Sequence, residues 1–136
     1  MALVMDASIA LAWSFDDEES STAERVISTV FEEGAVVPEI WRFEVANAVV
    51  TSLRRGRVTE GDLPRLTELL GTLPVAVSGT SWGDLFGPVS AFARIHGLSA
   101  YDAAYLHLAM REALPLATLD ARLQSVARSL GCAVVG

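Results

Sequence analysis

Apolar positions in this chain come in two rhythms. Short unbroken runs stand at residues 3–5 (Leu-Val-Met), 35–37 (Ala-Val-Val), 74–77 (Pro-Val-Ala-Val), 115–118 (Pro-Leu-Ala-Thr) and 132–135 (Cys-Ala-Val-Val). Runs without alternation suit strands buried on both faces of a parallel sheet. Between them the spacing turns helical. A short helix follows the first run at 9–13, and the next opens at Ser21, with Glu24 completing a capping box. That helix turns Val26, Ile27, Val30 and Phe31 inward and stops near Gly34. Pro38 suits the first turn of a helix reaching about Arg55. Ile40, Trp41, Phe43, Val45, Val49, Val50 and Leu53 make that helix apolar nearly all round, so it is expected to be buried. Thr59 and Asp62 cap a Leu-rich helix, and further helices are expected over 81–96, 99–113 and 121–130. Strands alternating with helices predict one domain over 1–136: a three-layer α/β/α fold around a central, mainly parallel sheet of about five strands.

Composition narrows the chemistry. The chain has 136 residues, 51% of them hydrophobic and 20% charged, a globular balance with room for a real core. Met1 leads straight into the first strand, and no apolar stretch approaches the roughly 18 residues of a membrane span. The lone Cys132 sits in an apolar run and reads as a small buried hydrophobe. A soluble cytoplasmic protein is the expectation. The net charge of −7 makes the overall field a poor attractant for nucleic acid. All ten basic residues are arginine, which removes any catalytic or phosphate-binding lysine. The run Asp16-Asp17-Glu18-Glu19 reads as a solvated acidic loop.

Four acids deserve weighing together. Asp6 ends the first apolar run, and Asp120 follows the fourth, so both are expected on the carboxyl edge of one sheet, where α/β folds bind ligands. Each also has a plainer role in binding backbone amides at a helix start. Asp102 closes a Ser-x-x-Asp capping box with Ser99, worth about 0.5–1 kcal/mol at the helix terminus. Glu44 is the hardest to explain structurally, because an unpaired carboxylate buried among Trp41, Phe43 and Val45 would cost roughly several kcal/mol. Two carboxylates about 4 Å apart repel by roughly 4 kcal/mol at an effective dielectric of 20. Such a cluster calls for protons or a divalent cation, and an all-oxygen set favours Mg²⁺ or Mn²⁺. Ser8, Asn47 and Thr118 stand two or three positions from these acids and suit supporting polar roles. His96 and His107 have no partner at ligand spacing and read as structural, and Trp13, Trp41 and Trp82 read as core or dimer surface.

With these residues in place the chain resembles the PIN-domain ribonucleases, most closely the small VapC-type toxins of toxin–antitoxin pairs. The similar stretches are Val4-Met5-Asp6-Ala7-Ser8, Glu44-Val45-Ala46-Asn47, Leu98-Ser99-Ala100-Tyr101-Asp102-Ala103 and Thr118-Leu119-Asp120. No single motif is specific, but the ordered set spans the chain. The resemblance implies an acidic metal site of Asp6, Glu44, Asp102 and Asp120, with Ser8, Asn47 and Thr118 in support. It also implies Mg²⁺- or Mn²⁺-dependent cleavage of single-stranded or loop RNA by metal-activated water, a homodimer, and a cognate antitoxin that blocks the site. Arg54, Arg55 and Arg57 are candidates for gripping the RNA backbone, with surface solvation as the plainer reading. A haloacid-dehalogenase-like phosphatase or a receiver domain would need a lysine, which is absent, and the former also an acid where Ser8 stands. The alternative is a catalytically idle PIN-like module that only binds partners.

Overall fold

The computed structural model describes residues 2–15 and 20–135. Five parallel strands, β1 (Leu3–Met5), β2 (Ala35–Pro38), β3 (Val75–Ser78), β4 (Leu116–Ala117) and β5 (Val134–Val135), lie in the order β3-β2-β1-β4-β5. Helices cover the sheet in a three-layer α/β/α arrangement. They are α1 (Ala7–Ser14), α2 (Ser21–Glu33), α3 (Ile40–Arg54), α4 (Leu63–Gly71), α5 (Trp82–Asp84), α6 (Ser90–His96), α7 (Ala100–Glu112) and α8 (Ala121–Ser129). β1 is central, and Leu3, Val4 and Met5 are all buried, as a strand covered on both faces must be. The chain leaves β1 for β2 and β3 on one side, then crosses back to place β4 on the other. The carboxyl ends of β1 and β4 thus flank the point where the winding direction reverses, which is where open α/β sheets bind ligands. The acidic run at 16–19 lies outside the described residues.

Several local expectations are corrected. Ser20, not Ser21, caps α2, its hydroxyl accepting from the Ala23 amide at 3.0 Å. Phe31 is exposed on that helix and meets Trp13 edge-on. Gly34 ends α2 at φ 84°, a left-handed conformation that favours glycine. Pro38 is the last residue of β2 and does not open α3, because its extended backbone continues the pairing with Ser78.

The expectation of a buried α3 is overturned. Only Trp41, Val45 and Ser52 are buried, and Phe43 is 70% exposed. Apolar character all round does not require burial on all sides when packing against β2 and α1 covers only part of the helix. Thr59 and Asp62 do form a capping box, leading through a 3₁₀ turn into α4. The expected helix over 81–96 is interrupted. Gly87, at φ −99° and ψ −106°, breaks it before Pro88, whose ring cannot sit inside a regular turn.

Candidate active site

Asp6 ends β1 by leaving the sheet. Its backbone amide still pairs with the Ala117 carbonyl at 3.1 Å, while its side chain caps α1 by accepting from the Ser8 amide. Oδ1 also accepts from the Ser8 hydroxyl and Oδ2 from the Thr118 hydroxyl, each at 2.5 Å. Those hydroxyls are held in turn. Ser8 Oγ accepts from the Leu119 amide and Thr118 Oγ1 from the Asp120 amide, both at 3.0 Å. A closed set of hydrogen bonds therefore stitches the end of β1 to the end of β4, with Thr118 fully buried. Burial raises the Asp6 pKa, and the bonds from Ser8 and Thr118 oppose that rise.

Glu44 lies on α3 one turn past its start and is half-buried. Its partner was not legible among the candidate residues: Tyr105 donates its hydroxyl to Glu44 Oε1 at 2.5 Å from α7. The available signal was spacing, since Tyr105 follows Asp102 by three residues and shares its helix face. Burial raises the Glu44 pKa, Tyr105 opposes it, and the Asp102 and Asp6 charges raise it further. The tyrosine is itself driven upward by burial and by the same carboxylates.

Asp102 stands in the first turn of α7, its amide bound to the Ser99 hydroxyl at 3.1 Å. Its pKa is raised by burial and then by Asp120, while Ser99 and Arg122 pull it down. Asp120 caps α8 through Oδ1, which accepts from the Arg122 and Leu123 amides at 2.9 and 3.1 Å. Electrostatic coupling links Glu44 to Asp102 and Asp6, and Asp102 to Asp120.

They do not form a closed cage. Among the described residues, no three acidic, imidazole or thiol side chains stand close enough to enclose a cation by themselves. Asn47 is exposed on α3, one turn beyond Glu44, and none of the site's hydrogen bonds runs through it. His107 is buried with Nε2 3.4 Å from Asp84, tying α5 to α7 as a structural histidine would.

A family model described as PIN domain matches residues 3–129. The chain belongs to the PIN-domain family. This PIN domain is 34% identical over 123 residues to Ribonuclease VapC3 of Pyrobaculum aerophilum, covering 90% of this chain and 92% of that protein. Its fold superposes on the crystal structure of PAE2754 from the same organism with a TM-score of 0.71. That match has 24% identity and covers 99% of this chain and 90% of the other. A second solved structure, FitAcB from Neisseria gonorrhoeae, gives a TM-score of 0.69 at 15% identity over 98% of this PIN domain and 96% of that chain.

Proposed function

We propose that this PIN domain is a divalent-cation-dependent endoribonuclease of the toxin type, cutting single-stranded or loop RNA. The observation that carries the reading is the hydrogen-bonded junction of Asp6 with Thr118 at the carboxyl ends of β1 and β4, with Glu44 held by Tyr105 and Asp102 and Asp120 opening the helices beside it. The 34% identity to a named ribonuclease supports it. The donor set fits Mg²⁺ or Mn²⁺: it is all oxygen, and magnesium commonly binds through one or two carboxylates while keeping several waters, so no three-acid cage is needed. Asp6, Glu44, Asp102 and Asp120 would hold the cation, which supplies Lewis acidity and an activated water for phosphodiester hydrolysis.

The chain's own groups do the positioning. Ser8 and Thr118 donate to both oxygens of Asp6, and their bonds oppose the rise in its pKa that burial causes. Tyr105 holds one oxygen of Glu44 and leaves Oε2 available. Ser99 and Asp120 anchor the starts of α7 and α8, so Asp102 and Asp120 present their charges from rigid first turns.

Two partners belong to the reading. A second copy of the chain is proposed to seat on α5 and α6, where Trp82 and Phe86 stack in parallel at 5.5 Å with 74% and 77% of their surfaces exposed. A separate inhibitor chain, the antitoxin, is proposed to lay an apolar segment in the groove of about 500 Å³ between α3 and α4. Trp41 lines that groove, and its buried Nε1–H has no acceptor among the described residues.

The test is cleavage of a mixed RNA pool by wild type and Asp6→Ala, with Mg²⁺ or Mn²⁺ against EDTA. Metal-dependent cutting by the wild type alone is expected. Silence from folded wild type would favour the idle binding module, and equal cutting by both proteins would remove Asp6 from the site. Cutting that no co-encoded small protein suppresses would remove the inhibitor from the reading.

A further inference from the structure

Arg54, Arg55 and Arg57, candidates for gripping RNA with surface solvation as the plainer reading, lie toward the far end of α3 from Glu44. Arg54 follows Glu44 by ten residues on one helix, about 15 Å along its axis. Arg55 and Arg57 lie beyond that end, and Arg57 packs over the Phe15 ring at 4.8 Å. Arg111 is engaged elsewhere by Ser78 and Glu112. A molecule of net charge −7 that presents four carboxylates to a polyanion needs positive charge close to the acids.

Arg122 supplies it. It stands two residues past Asp120 in the first turn of α8, its backbone amide fixed by the Asp120 carboxylate at 2.9 Å. Its side chain crosses to the turn between α6 and α7, where Nη2 donates to the His96 carbonyl at 3.2 Å. Gly97 makes the room: a Cβ there would stand 2.6 Å from Nη2. That turn leads directly into the helix carrying Asp102, whose carboxylate feels the Arg122 charge. Yet among the described residues the guanidinium forms no ion pair with Asp102 or Asp120; a neutral carbonyl tethers it. A guanidinium carries five N–H donors in a planar fork suited to phosphate, and the tether uses one amino group.

We infer that Arg122 is a phosphate-binding residue, clamping a backbone phosphate of the RNA beside the acidic site from a guanidinium held over Gly97. This rests on the ribonuclease reading and adds the group that draws the substrate to it. Tethering to a carbonyl holds the fork in place without cancelling its charge, which an ion pair with Asp102 would do.

The experiment uses Arg122→Ala and Arg122→Lys. Cleavage is measured in the otherwise wild-type protein. Binding of fluorescein-labelled single-stranded RNA is measured across a NaCl series in an Asp6→Asn background that keeps the RNA intact. Arg122→Ala is expected to weaken binding roughly tenfold and to reduce the slope of log K against log salt by about 0.7, the loss of one phosphate contact on a single strand. Arg122→Lys should recover the slope but only part of the cleavage rate, since a point charge replaces a fork. An unchanged slope in Arg122→Ala overturns the inference, even if cleavage falls, because that pattern marks a structural role. A wild type that neither binds nor cuts RNA overturns the ribonuclease reading and this inference with it. A wild type that cuts as Arg122→Ala does overturns this inference alone.

Discussion

Glu44 carries its charge at a cost. Burial first, then Asp102 and Asp6, hold its pKa above the ordinary 4.5, and Asp102 is likewise held above 3.8. In cation-free protein the folded state thus keeps these protons to higher pH than the unfolded chain does. Stability from this source is fully present below the ordinary carboxylate values and is lost as pH rises through the raised ones. The melting temperature in EDTA should accordingly fall from acid toward neutral pH, and Glu44→Gln, which keeps an acceptor for Tyr105, should flatten the fall. Mg²⁺ should restore the wild type at neutral pH and do less for Asp102→Asn. A pH profile identical in wild type and Glu44→Gln would mean that the strain lies elsewhere. Asp6 and Asp120 drew notice as acids at strand ends and Glu44 as an acid among apolar neighbours, whereas Asp102 read alone as a capping acid and joined them only through the ordered set. Tyr105 and Arg122 could not be picked out, since tyrosine and arginine are unremarkable on a helix until the fold shows what they face. Asn47, a candidate from its spacing to Glu44, is exposed one turn further along α3.

Elements were legible where one physical signal dominated. Unbroken apolar runs gave all five strands, and glycine stops gave the ends of α2 and α6. Ambiguity arose where two signals competed over a residue or two. Ser20 and Ser21 are both competent caps, and the choice falls to the residue whose backbone is extended, Ser20 at φ −152° and ψ 110°. Ser20→Ala should cost about 1 kcal/mol in chemical denaturation and Ser21→Ala only a few tenths. The reverse order would return the cap to Ser21. Pro38 reads in sequence as a helix start, but its pairing with Ser78 of β3 makes it the end of β2. The exposure of α3 was hidden for a different reason: sequence gives a helix its apolar faces but not the number of neighbours available to cover them.

At the scale of the whole molecule, exposed apolar side chains occur on several elements, and two groups of them stand on neighbouring turns. Phe43 and Val50 stand on α3, and Trp82, Phe86 and Ile95 on the α5–α6 segment. Replacing Trp82 and Phe86 together by alanine should shift the protein from dimer to monomer in size-exclusion chromatography with light scattering, with little change in melting temperature. A wild type that is already monomeric at tens of micromolar would exclude that face as a stable pairing surface. None of the helices among the described residues is long and apolar enough to cross a membrane.

The hydrogen bond between Thr118 and Asp6 joins positions 112 residues apart in the chain. During synthesis at roughly 5–20 residues per second, β1 waits several seconds for the strand that completes its far side. Glu44 and Asp102 emerge meanwhile, and Thr118, Asp120 and Arg122 follow only after them. No nascent or truncated chain ending before Thr118 can assemble the site, however well its first strands have paired. For a protein proposed to attack RNA, harmlessness during its own translation is then built into the order of the strands.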